Sequence, residues 1–230
     1  MTRVRMGRAL CIGVEADADA LAFAGIATAR GFLAPGVLLG AHATRAAVQA
    51  GIAGAAAAGE PGDFFLLSFS GHGGRKAVPS RDGDDRSSSE VPHGDDFGGV
   101  TTWSLYDGSL MDGELRADLA HFKAGVRILV LADNCSGGIP SVGVCACTPA
   151  LAASVLVLAA CQRDRYADAA GLPGHFATAL LNTWNGGMFG GTYAEFHEAI
   201  CSEMPPYQTP DFYRVGARDA AFEAQRPFTI

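Results

Sequence analysis

The sequence predicts an α/β fold built on a central, mostly parallel sheet, on three observations. Short β-branched runs alternate with alanine-rich stretches of helical spacing. Some of those runs, ILVLA within RILVLAD above all, are continuously apolar, as strands buried on both faces are. No repeat and no linker divides the 230 residues, so one domain spanning 1–230 is expected.

Each element follows from local signals. Residues 8–14 read as the first strand. Residues 19–30 read as a helix, with Leu21, Phe23, Ala24 and Ile26 apolar and Gly31 as its stop. Residues 37–40 are a short second strand. Thr44 caps a helix running to about residue 58, although Gly51 and Gly54 weaken its propensity. DFFLLSFS, residues 63–70, is the clearest strand of the first half. A loop of about thirty residues, 71–99, follows, and loops of that length are usually functional or disordered. Its central part, 81–96, carries six acidic residues against two arginines. Residues 103–106 resume as a strand, with Asp107 and Gly108 as a turn, and 112–122 look helical. The buried strand 127–133 leads into a glycine- and cysteine-containing loop to about residue 149, then a strand at 154–160. Helices at 175–184 and 193–203 and a strand at 211–215 complete the chain.

Composition excludes several function classes. Apolar residues make up 49%, charged residues 18%, and mean hydropathy is +0.17, which is neither disordered nor coiled-coil composition. The net charge is −7 with only two lysines, Lys76 and Lys123, and no basic stripe to neutralise phosphates, so no nucleic-acid partner is expected. The apolar run 151–161 is too short to span a bilayer. No stretch of signal-peptide length follows the early arginines before Glu15, so no membrane partner and a cytoplasmic location are expected. Six cysteines in a chain this long do not form a secreted disulfide framework and read as reduced thiols.

Two strand ends concentrate chemistry. Ser70-Gly71-His72-Gly73-Gly74 follows DFFLLSF, and Asp133-Asn134-Cys135-Ser136-Gly137-Gly138 follows RILVLA. In open α/β sheets ligands bind beyond the carboxyl ends of the strands, so the two can meet at one site. Cysteine and histidine form a nucleophile and proton-transfer pair, and glycine lets backbone N–H groups approach a substrate closely. If extended backbone persists, Ser70 lies on the same side as His72 and Asp133 on the same side as Cys135. Yet a cysteine at a strand end is usually a small buried hydrophobe, and Cys161, which ends VLVLAAC, is a rival nucleophile. Pattern alone does not separate the two. Ser70 lacks a nucleophile-elbow motif. Gly54 to Gly59 has P-loop spacing, but Glu60-Pro61 stand where Lys and Ser or Thr belong. Cys145 and Cys147 have no second pair for zinc, and the acidic loop lacks EF-hand order, so no metal site is expected.

These residues resemble the caspase-like cysteine peptidases, in particular the bacterial metacaspase or orthocaspase branch. The block Ser70 to Gly73 is similar to that family's histidine motif and Asp133-Asn134-Cys135 to its D-x-C motif. The likeness runs from ALCIGVE and Asp19-Ala20-Leu21 through TWSLYDG and ACQ to MPPYQTP, nearly the whole chain. The animal-caspase signature fits less well, since His72 lies 63 residues upstream of Cys135 and the residue two before Cys135 is acidic. The resemblance implies a caspase-like α/β/α sandwich and a cysteine endopeptidase with Cys135 as nucleophile and His72 as proton carrier. It places the oxyanion hole at the backbone N–H groups of Gly73 and Cys135. It further implies a first-residue pocket lined by Asp133, Ser70 and Asp19, selecting a polypeptide substrate with Arg or Lys before the cut. Asp19 and Asp17 both remain open for that position, because little chain separates the first strand from either. Ser136 and Gly137 depart from the family's His and Ser after the nucleophile, which alters that side of the pocket.

No cofactor is expected; acidic loop residues permit calcium activation. Between Ile128 and Gln162 there is no Arg or Lys, so an enzyme cutting after basic residues leaves that stretch intact and stays a single chain. Arg75, Lys76, Arg81 and Arg86 are the self-cleavage candidates. The alternatives are the same peptidase with another first-residue preference, a catalytically silent binding module of this fold, and a metal-dependent hydrolase using His72, His93 and Asp95 or Asp96.

Overall fold

A computed structural model describes residues 3–77, 99–134, 150–161 and 174–230. The strands β1 (Gly7–Gly13), β2 (Gly36–Leu39), β3 (Phe64–Ser70), β7 (Arg127–Asp133), β8 (Ser154–Ala159) and β9 (Asp211–Gly216) form one six-stranded sheet in the order β2-β1-β3-β7-β8-β9. Every pairing is parallel except that of β8 with β9. A second, antiparallel sheet joins β4 (Gly73–Ala77), β5 (Gly99–Leu105) and β6 (Gly108–Met111).

The apolar runs are continuous because both faces of the large sheet are covered. Phe64, Leu66, Leu129, Leu131, Leu156 and Leu158 face one core, which they share with α1 (Asp17–Ala29), α4 (His175–Trp184), α5 (Tyr193–Glu203) and α6 (Ala220–Ala224). Phe65, Leu67, Phe69, Ile128, Val130, Val155 and Val157 face the other, shared with α2 (Arg45–Ala58), α3 (Asp112–Leu119) and the small sheet. The result is the three-layered α/β/α sandwich expected. Phe69 stacks on Trp103 with ring centroids 4.7 Å apart, which fastens the small sheet to the end of β3. No helix among the described residues is long and apolar enough to cross a membrane.

Three short elements were not expected from the sequence. The predicted loop 71–99 opens as strand β4, and β5 starts at Gly99 rather than at 103. β4 reads GGRKA, without a single apolar alternation, and is held by backbone pairing to β5. The turn at Asp107 continues into β6, and α6 spans only five residues. Helix α1 begins two residues before the expected start, from Ala16, which supplies no side-chain cap. The Thr44 cap is present, its hydroxyl accepting from the Ala47 N–H at 3.2 Å. The acidic stretch 81–96 lies outside the described residues.

The foot of the sheet is tied by Asp63, buried just before β3. Its carboxylate accepts from Arg3 at 2.7 and 2.8 Å, from Arg8 at 3.1 Å, and from the N–H groups of Met6 and Glu60. Burial alone would raise its pKa; the Arg3 hydrogen bonds, the two N–H donors and the Arg3 charge outweigh it and hold the carboxyl far below its usual range. Asp63→Ala is therefore expected to cost about 3 kcal/mol in urea unfolding at pH 7. Because the folded pKa is depressed, this contribution is complete above the ordinary carboxylate range and fades as pH falls below it. The gap between wild type and variant should narrow toward pH 3.

Candidate active site

Strands β3 and β7 are adjacent and in register, with Ser70 opposite Asp133 at their carboxyl ends. Two further bonds tie the chain beyond them: the Gly71 N–H donates to the Asp133 carbonyl at 3.1 Å, and Ser104 N–H to the His72 carbonyl at 2.9 Å. Both glycines beside His72 have a steric reason. A Cβ on Gly71 would stand 2.8 Å from the Val14 carbonyl oxygen, and one on Gly73 would stand 2.7 Å from Asn134 Nδ2. His72 is thus carried between the loop after β1 and the end of β7. Its ring is 62% exposed, and its Nε2 lies 3.2 Å from Glu15 Oε2. Cys135, the residue after Asn134 in the chain, lies outside the described residues, as do His93, Asp95 and Asp96.

On the face toward α1 and α4 the end of β7 carries Asp133, which feels the charge of Asp19 on α1. Asp133 shares the parity of Leu129 and Leu131 and accepts from the Ala177 N–H, in the first turn of α4, at 3.3 Å. Burial first, and the Asp19 charge second, push its pKa up to about 7, against the lowering effect of the Ala177 N–H. Asp19, partly buried on the first turn of α1, is also raised by burial. Asp17 is exposed, so Asp19 is the acid that this geometry sets against Asp133. Ser70 Oγ is buried beneath this face, and neither it nor the side-chain atoms of the buried Asn134 have a hydrogen-bond partner among the described residues.

Cys161, the rival nucleophile, is buried, with its thiol donating to the Asn134 carbonyl at 3.4 Å. It serves as a neighbour of the site, supporting the end of β7. Gln208 of the MPPYQTP segment reaches the same rim, its amide donating to the Ala160 carbonyl at 3.0 Å. Among the described residues no group of three or more His, Cys, Asp or Glu side chains could hold a metal ion. Sequence reasoning missed Glu15, Asn134 and the Ala177 N–H. Glu15 carried a signal, since the rule that sites form beyond carboxyl strand ends applies to β1 as well.

The family model described as the caspase domain matches residues 9–222. The chain belongs to the caspase-domain peptidase family. It is similar to the crystal structure of protein GSU0716 from Geobacter sulfurreducens, at 33% identity and a TM-score of 0.80, covering 97% of this chain and 98% of that one. Caspase-1 from Spodoptera frugiperda shares the fold at 12% identity and a TM-score of 0.52, with 93% of this chain and 87% of the insect protein covered. The structure of pro-sf-caspase-1 aligns with a TM-score of 0.51 at 10% identity, over 94% of this chain and 93% of that one. Among curated protein sequences nothing matches this chain. The caspase-domain fold supports a cysteine peptidase activity acting on polypeptides.

Proposed function

We propose that this caspase-domain protein is a metacaspase-type cysteine endopeptidase that cleaves after Arg or Lys. The observation that carries the reading is the contact of the His72 loop with the residues immediately before Cys135: Gly73 packed on Asn134 and the Gly71 N–H bonded to the Asp133 carbonyl. Cys135 is the nucleophile and His72 the proton carrier. A free thiol titrates near 8.5, so it must lose its proton to His72 on or before attack. The Cys135 sulfur adds to the scissile carbonyl, and the resulting oxyanion takes hydrogen bonds from the Gly73 and Cys135 N–H groups, each worth ~3 kcal/mol in the transition state. Protonated His72 then gives its proton to the leaving amine. Water, deprotonated by the same ring, hydrolyses the thioester.

The substrate's basic side chain enters the Asp133, Asp19 and Ser70 pocket. A guanidinium suits it, since it stays charged at every working pH and can bond a carboxylate through two N–H groups. Two close carboxyls reject an aspartate by the same charge. A cytoplasmic setting is consistent with Cys11, Cys161 and Cys201, which are free thiols.

Fluorogenic peptides ending in Arg, Lys or Asp, assayed with and without calcium, test the reading. Cleavage after Arg and Lys that disappears in Cys135→Ala is the expected outcome. Cleavage after Asp would keep the dyad and discard the acidic pocket. Silence on all three would favour a binding module.

A further inference from the structure

We propose that Glu15 is the positioning residue of His72, its carboxylate holding the ring through Nε2 and leaving Nδ1 as the ring's proton acceptor. The inference rests on the peptidase reading above. Three observations converge on it. Glu15 Oε2 lies 3.2 Å from His72 Nε2. Glu15 adopts φ 59°, a left-handed conformation unusual for a residue with a Cβ, and such strain collects at functional sites. The loop carrying Glu15 is fastened to the loop carrying His72: the Val14 N–H donates to the Ser70 carbonyl at 3.0 Å, and the bare Gly71 lies against Val14.

The chemistry follows from the acceptor. An ionised carboxylate only accepts hydrogen bonds, so the ring nitrogen it contacts carries the proton, and the Nδ1 lone pair is left for the thiol. When the Cys135 thiol proton passes to Nδ1 the ring becomes a cation with both nitrogens protonated, and Glu15 stabilises that charge. The Nδ1 proton then goes to the leaving amine, while the Nε2 proton stays between ring and carboxylate throughout. Glu15 loses and gains nothing in the cycle. Both side chains are well exposed, at 62% for His72 and 76% for Glu15, so solvent screens the pair and its effect is smaller than that of a buried third group.

Two variants separate charge from geometry. Glu15→Ala removes both; Glu15→Gln keeps an oxygen acceptor and removes the charge. Glu15→Ala is expected to lower kcat by about fivefold to tenfold with little change in KM, and Glu15→Gln by less. A third variant, Glu15→Asp, keeps a carboxylate on a shorter arm and should recover part of the loss, whereas a merely structural role for the side chain would not separate the three. The carboxyls of Asp133 and Asp19, on the α1 and α4 side of the same strand ends, are common to all the variants and cancel in the comparison.

A second measurement needs no activity. In a Cys135→Ala background, the ring nitrogen resonances of neutral His72, read by NMR, should place the proton on Nε2, and Glu15→Gln should raise the share of the tautomer protonated on Nδ1. A wild-type enzyme silent on every peptide would overturn the peptidase reading and leave this tautomer balance to be read on its own. An unchanged tautomer balance, or an unchanged kcat for Glu15→Ala in an active enzyme, would overturn the role of Glu15.

Discussion

On the proposed reading, replacing His72 with alanine is expected to lower kcat/KM on an Arg-ended peptide by about 10³-fold, the usual contribution of a positioned proton carrier. The same substitution leaves the thermal midpoint within about 2 °C of wild type, because an exposed ring contributes little packing. The ring is 62% exposed, and its side-chain hydrogen bond among the described residues is to an exposed carboxylate. What fixes the loop is backbone: Gly71 N–H to the Asp133 carbonyl, Ser104 N–H to the His72 carbonyl, and the close approach of Gly73 to Asn134. None of these needs the imidazole. A loss of activity matched by a comparable loss of stability, read by thermal unfolding beside the assay, would mean that His72 is structural.

The second large effect concerns Asp133. Its carboxyl, raised to about 7 by burial and by the charge of Asp19, is divided between its two forms near neutrality. Raising the pH through 7 creates the carboxylate that, on the proposed reading, pairs with a substrate guanidinium, which itself stays protonated. The ratio of kcat/KM for an Arg-ended peptide to that for its uncharged citrulline counterpart should therefore rise with pH between about 6 and 8. Taking the ratio removes the ionisation of the thiol, which affects both substrates alike. Asp133→Asn should lower the ratio by about 10²-fold and flatten its pH dependence. Stability moves the opposite way. Between about pH 4 and 7 the folded protein keeps a proton on Asp133 that the unfolded chain has lost, so this group's contribution falls as pH rises across that window. A pH-independent ratio in the wild type, measured by steady-state kinetics, would remove Asp133 from the pocket.

Much of the fold was legible because it is written in continuous apolar runs. RILVLAD and DFFLLSF alternate between two buried cores, and a strand buried on both faces looks the same in sequence as in structure. The polar residues that end those runs, Ser70, Asp133 and Asn134, mark where the strands leave the core, so the rim of the site was legible too. The β4–β5 hairpin was not. GGRKA offers no pattern of its own, and its structure comes from pairing with a strand that lies 21 residues further along the chain, beyond 78–98. Glu15 was equally hidden, because a glutamate after a strand has many uses and only the contact with His72 selects one. The Ala177 N–H could not be read at all, since every residue but proline carries that group and only the docking of α4 aims it at Asp133.

The central claim, that Cys135 is an activated nucleophile reached by a basic peptide, is tested most directly by covalent labelling. Incubation with an Arg-ended peptide bearing an electrophilic ketone, followed by intact mass and peptide mapping, should show one adduct per chain, on Cys135, saturable by an Arg-ended competitor. The adduct should be absent in Cys135→Ala and form more slowly in His72→Ala. An adduct on Cys161 or Cys201, or none on a folded protein, would contradict the account.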